Sequence, residues 1–329
     1  MEYEGFDTED IAKLKRVSFV IESQLERFQK LMLYVNTFNN KNFTIERFFE
    51  LKEICKVIIR NVPFMVSTID TANITRARRN TKELFYHKKE ISYNKNAANS
   101  RLGRFNLENE SVFYGCLPTF HENGEYINYD NQCPMFEVCK EISTNEGLKF
   151  PVFFTLGFWK VSKQLSVLNL CFEDDHLSSN SGISRDVKFF SDTVDEHCSE
   201  KAFDFIKSVW KYFSNLSRKW ESVSSPNYYY ILTALYKAFD EYSKANNYEE
   251  VDGVIYPSAV TQAKGLNIVL KPTAVDRCLD LEHVQMYILK SRALPYDYKS
   301  ITDLIPAKNN YFEFDNSFVL EYNIFTSSW

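Results

Sequence analysis

A chain of 329 residues, 44% apolar and 16% aromatic with only 9 glycines and 9 prolines, can bury a large core and is not dominated by linkers or low-complexity tracts. A net charge of −5 supplies no global basic field, which sets direct nucleic-acid binding aside, although Arg76, Arg78, Arg79, Lys88 and Lys89 form a loose local patch. No run nears the roughly 18 apolar residues that a membrane span needs. The acidic N-terminus does not resemble a signal peptide, and the 7 scattered cysteines read as thiols in a reducing cytoplasm. Cys133 and Cys139 have no histidine at ligand spacing, so no metal site is expected.

Residues 8–37 carry Ile11, Leu14, Val17, Ile21, Leu25, Phe28, Leu31 and Val35 at three- and four-residue steps, which predicts one helix. Thr44 is placed to cap a second, burying Phe48, Leu51, Cys55 and Ile58 and ending before Pro63. Together they form an N-terminal helical hairpin over residues 1–65, read as a packing element or as a docking module for a regulatory protein. Ile74–Arg78 reads as a strand, Asn94–Ser100 as a loop, and Gly103–Glu110 as a polar turn before a strand at Ser111–Tyr114. Glu122–Cys133 reads as an inserted loop, and Pro134 as the start of a helix carrying Glu137. Phe150–Val161 and Leu165–Cys171 are predicted strands, and Glu173–Arg185 a charged loop. Two helices then occupy an insertion around 186–246, one with Phe203, Ile206, Val209, Trp210 and Phe213, the other beginning at Ser225-Pro226. Strands return at Gly253–Tyr256, Leu266–Leu270 and Val284–Ile288, with edge strands expected in Asn310–Trp329. Helices and strands are interspersed without regular alternation, which predicts an α+β domain over residues 70–329, with helices around a mixed or split sheet.

Several chemistries find no motif. The chain has no glycine-rich dinucleotide fingerprint, no phosphate loop ending in Lys-Ser or Lys-Thr, and no Gly-x-Ser-x-Gly elbow. What remains is Arg104, Tyr114, Glu137 and Ser258 on separate turns, strand ends and helix starts. Each also has an ordinary structural reading: a surface arginine, a core aromatic, a first-turn carboxylate, a strand-terminating serine.

In their order these residues resemble the RES family, named for an arginine, a glutamate and a serine. Gly103-Arg104-Phe105-Asn106 followed by Tyr114 is similar to its arginine segment, and Met135-Phe136-Glu137-Val138 to its glutamate segment. Asp252–Ser258 with Gly265-Leu266-Asn267 and Leu270-Lys271-Pro272 is similar to its serine segment. The resemblance spans about Ile74 to Pro272. It departs from compact members, the toxins paired with Xre-type antitoxins, in greater length and in the 22 residues between Tyr114 and Glu137, which keeps Glu122 and Glu125 as alternative acids.

The resemblance implies an ADP-ribosyltransferase-like fold that takes NAD as substrate, needs no metal, and cuts the nicotinamide–ribose bond. Glu137 would stabilise the oxocarbenium-like ribose, and Arg104 would grip the pyrophosphate. Tyr114 would face nicotinamide, and Ser258 would bond the ribose or orient Glu137. Arg76, Arg78, Asn106 and Asn267 would be further ligand contacts. An NAD glycohydrolase acting as a toxin or defence effector is the leading expectation, with an antitoxin or regulator at the N-terminal helices. A mono-ADP-ribosyltransferase, or a nucleotide-binding or interaction protein without turnover, are the alternatives.

Overall fold

The N-terminal apolar period folds as helices, but with a break that the period conceals. The computed structural model describes residues 6–39, 41, 43–80, 85, 87–118, 132–139, 141, 152–172, 181–219, 226–246, 248, 250–260, 265–289 and 304–306. Residues 8–37 form two helices, α1 (Thr8–Ser23) and α2 (Leu25–Thr37), interrupted at Gln24. Both pack on the same later helix, α7 (Glu200–Ser217), so the buried stripe runs on across the break. Asp7 caps α1 through the Asp10 N–H, and Thr44 caps α3 (Ile45–Asn61) through the Arg47 N–H. The N-terminal segment is therefore three helices where two were expected.

The helices do not stand apart from the 186–246 segment. That segment also holds three: α6 (Ser181–His197), α7 and α8 (Asn227–Ala245). The first was read in part as loop because Ser181-Gly182 and its charged face mask the stripe of Ile183, Val187, Phe190 and Val194, all buried. α3 lies along α8, and α1 touches α6 and α7. Trp210, buried on α7, donates its indole N–H to the Pro63 carbonyl at 2.7 Å and so fastens α7 to the chain just past α3. Apolar residues of all these helices share one core with the sheet.

Among the described residues nine strands form one sheet: β1 (Val66–Ile69), β2 (Asn73–Asn80), β3 (Phe113–Leu117), β4 (Val152–Val161), β5 (Leu165–Asn169), β6 (Gly253–Pro257), β7 (Leu266–Leu270), β8 (Leu279–Leu289) and β9 (Leu304–Pro306). Their order is β1-β5-β6-β7-β3-β2-β4-β8-β9, with β5 and β6 parallel and the other pairs antiparallel. β5, β6 and β7 are buried along their whole length, which explains why they are mostly apolar, with Ser166, Asn169 and Asn267 as buried polar members of β5 and β7. β3 begins later than expected because the Ser111 hydroxyl bonds the Asn94 carbonyl, while Gly115, Cys116 and Leu117 continue the ladder to β7. Shorter helices α4 (Lys88–Ile91), α5 (Gln132–Val138) and α9 (Pro272–Cys278) lie between strands. The predicted tail strands after Asn310 and the alternative acids Glu122 and Glu125 lie outside the described residues.

The sheet is mixed and narrows at one seam. β2 pairs β4 from Asn73 to Asn80, yet meets β3 through one partner pair, Thr75 with Cys116. A Cβ on Gly115 would sit 2.6 Å from Ile74 Cγ2 and 3.2 Å from the Thr75 carbonyl, so this glycine lets the two strands close at that point. Beyond it they are not paired, and the site opens there.

Candidate active site at the sheet seam

A cavity of about 280 Å³ occupies the seam, lined by Arg76 and Arg78 of β2, Tyr114 and Cys116 of β3, Gly103 and Arg104 of the preceding turn, Glu137 of α5, Tyr229 of α8, Tyr256 of β6 and Asn267 of β7. Residues far apart in the chain thus meet in one recess.

The turn is held from within. Asn106 donates its side-chain amide to the carbonyls of Arg101, Leu107 and Glu110 at 2.8, 2.9 and 3.2 Å. Its Oδ1 accepts from the Tyr114 hydroxyl at 2.9 Å, and that hydroxyl accepts the Phe105 N–H at 3.1 Å. A Cβ on Gly103 would strike both Asn106 Oδ1 and the Tyr114 hydroxyl, which is why glycine opens this segment. The polar atoms of Asn106 are therefore spent on the turn, and the assignment of Asn106 as a ligand contact gives way to an architectural one. Tyr114 keeps a ring on the cavity wall, but its hydroxyl is a clamp. Tyr114→Phe leaves Asn106 Oδ1 and the Phe105 N–H short of a partner, a loss of about 1–3 kcal/mol in denaturant unfolding. A change under about 0.5 kcal/mol, the scale of a bland surface substitution, would show that the clamp is not needed.

Glu137 sits on α5 with two donors on one oxygen. Ser258 Oγ and Asn267 Nδ2 each lie 2.7 Å from Oε1. Ser258 itself is fully buried and does not line the cavity, so it orients the carboxylate from behind. The other oxygen, Oε2, lies 4.0 Å from Arg104 Nη1, a charge pair rather than a hydrogen bond.

Arg104 is 5% exposed. Its Nη2 donates to the Lys219 carbonyl at 2.9 Å, and its guanidinium lies near the Tyr229 and Tyr256 rings at 5.6 and 5.8 Å. Burial alone would weaken this charge, but Tyr256, Glu137 and Tyr229 together outweigh it and hold the group above the usual arginine range. The helical segment thus puts Tyr229 on the cavity wall and holds Arg104 through the Lys219 carbonyl, and neither residue was singled out by motif or spacing. A run of tyrosines, 228–230, opening a helix was the one available signal.

Arg76 and Arg78 are unlike Arg104 in having no carboxylate partner among the described residues. Arg76, 8% exposed, donates Nη1 to the Tyr114 carbonyl at 2.6 Å and lies over the Phe113 ring at 4.8 Å. It fills the gap that the strands leave. Arg78 donates to the Ser92 carbonyl at 3.0 Å. Burial first, then the Arg78 charge beside it, push Arg76 well below the usual arginine range, and burial does the same to Arg78 more mildly. The buried Nε of Arg76, Arg78 and Arg104 finds no hydrogen-bond partner among the described residues.

Residues 5–110 match the family described as SPbeta prophage protein YosX. The matched stretch includes Arg76, Arg78, Arg104 and Asn106, and stops short of Tyr114, Glu137, Ser258 and Asn267. No curated protein and no solved structure matches the chain. Among the described residues there is no group of His, Cys, Asp and Glu suited to a metal ion, and no helix long and apolar enough to cross a membrane.

Proposed function

We propose that the seam cavity binds NAD and cleaves its nicotinamide–ribose bond, with water as the acceptor. The observation that carries this reading is an imbalance of charge. Among the described residues, Arg76, Arg78 and Arg104 line one recess against one carboxylate, that of Glu137. Buried cations without counterions are costly, and a ligand that brings two adjacent phosphates supplies what the fold leaves out. Planar guanidinium forks suit a pyrophosphate better than point charges would.

The carboxylate suits the other end of the same ligand. Nicotinamide is cationic in NAD and leaves neutral, so no general acid is required. Positive charge instead develops on the ribose, as in other glycoside cleavages. Glu137, fixed through one oxygen by Ser258 and Asn267, keeps Oε2 toward the cavity, where it stabilises that charge or bonds a ribose hydroxyl. Arg76 and Arg78 take most of the phosphate load, and Arg104 links phosphate to carboxylate. Tyr114 and Tyr229 offer ring faces for nicotinamide. A toxin or defence effector that depletes NAD fits both the RES resemblance and the prophage family similar to residues 5–110.

Incubating the purified chain with NAD and separating the products by chromatography tests this directly. Free ADP-ribose with nicotinamide is expected. Mass added to a protein would select transfer over hydrolysis, and intact NAD would overturn the enzyme reading.

A further inference from the structure

One pair of buried side chains at the site has no part in this chemistry. Cys116 and Cys133 bring their sulfurs within 3.4 Å of each other, one on β3 and the other on α5. Both are 2% exposed. Both thiols also lie close to one acceptor, Asn267 Oδ1, at 3.2 Å from Cys116 and 3.7 Å from Cys133. The far side of that amide, Nδ2, holds Glu137. Cys133 and Glu137 stand four residues apart on α5, one turn of a helix, so both project toward the same strands. Of the two thiols only Cys116 reaches the cavity wall.

We infer that Cys116 and Cys133 form an oxidation-sensitive pair that closes into a disulfide across the floor of the cavity and, by releasing Asn267, disengages Glu137. The pairing rests on the sulfur geometry alone, whereas its effect on turnover rests on the NAD-cleaving reading. A hydroperoxide entering the cavity meets Cys116 first, since this is the thiol on the cavity wall. The thiolate attacks the peroxide, its O–O bond breaks, and Cys116 becomes a sulfenic acid as an alcohol or water leaves. The Cys133 sulfur then displaces the sulfenic oxygen as water, and the two sulfurs close to the roughly 2.05 Å of a disulfide. Two thiols have lost two electrons and the peroxide has gained them. A dithiol reductant reverses the step by exchange.

The consequence follows from Asn267. With both S–H groups gone, Oδ1 loses its donors in a buried place, and the amide is no longer fixed with Nδ2 toward Glu137. α5 is drawn toward β3 at its first turn while the carboxylate at its other end loses one of two anchors. No disulfide joins any of the seven cysteines, so both thiols are free to react.

The test treats the full chain with hydrogen peroxide, alkylates remaining thiols, and maps peptides by mass. A Cys116–Cys133 bridge is expected, slowed by saturating NAD and absent in Cys116→Ser and in Cys133→Ala. NAD cleavage should fall by about tenfold to a hundredfold in the bridged protein, the scale of a misplaced catalytic group. Dithiothreitol should restore it, peroxide should leave Cys116→Ser turnover unchanged, and in Cys133→Ala the oxidation should stop at the Cys116 sulfenic acid without a bridge. Absence of the bridge in folded protein overturns the pairing, and a bridge that leaves turnover unchanged overturns its control of Glu137. If the reduced chain cleaves no NAD, the enzyme reading falls, while the pairing is still decided by the peptide map.

Discussion

Replacing Glu137 with Gln lowers nicotinamide release by roughly 100- to 1,000-fold, the scale on which one well-aimed electrostatic group contributes to a transition state. NAD affinity stays within about threefold, because ground-state binding is carried by the arginines and not by this side chain. Gln is a suitable probe here. Its carbonyl oxygen can take the place of Oε1 and go on accepting from Ser258 and Asn267. The amide nitrogen then faces Arg104, where a 4.0 Å approach leaves no hydrogen bond to break. The fold is kept and one charge is removed. Titration with NAD by calorimetry and nicotinamide release by chromatography separate the two effects. Release at the wild-type rate would place the chemistry elsewhere, and a wild-type protein that binds NAD without releasing nicotinamide would make the cavity a nucleotide-binding module.

The parts of this site that were legible in the sequence are those with local signatures. Thr44 capping α3, the strand through Ile74–Arg78, and the buried runs of β6 and β7 follow from spacing and composition. Glu137, Arg104 and Ser258 could be named together only through the family resemblance, since no periodicity links positions that far apart. The structure brings the first two into one cavity and sets Ser258 directly behind the carboxylate. What stayed hidden depends on tertiary contacts. Asn106 reads as a ligand contact until three carbonyls of its own turn are seen to take its amide. Lys219 contributes through its carbonyl, which any residue could supply, so its identity carries no signal. The break at Gln24 leaves no trace because α1 and α2 bury their apolar faces on a common neighbour. Cys116 and Cys133, 17 residues apart, become a pair only when α5 folds over β3.

Arg76→Met should leave the unliganded protein at least as stable as the wild type and remove its response to NAD. Arginine at this place is a burden on the empty fold. It is buried, its Nε is unpartnered among the described residues, and the like charge of Arg78 acts against it. Exchanging a buried, uncompensated ion for an apolar side chain of similar reach relieves a desolvation cost of several kcal/mol. Against this stands the loss of the 2.6 Å bond to the Tyr114 carbonyl, which costs about 1–3 kcal/mol. The first effect matches or exceeds the second, so the unliganded melting temperature holds or rises. With NAD at a hundred times its dissociation constant, the wild type gains about 2.7 kcal/mol of stability. A variant whose affinity has dropped by roughly a hundredfold gains only about 0.4 kcal/mol at the same concentration, a shift near the limit of a thermal assay. Stability kept and ligand response lost would mark Arg76 as a charge retained for its ligand at the expense of the fold. Stability lost and ligand response kept would mark it as a structural bridge across the seam, and the phosphate site would have to be sought at Arg78 and Arg104 alone.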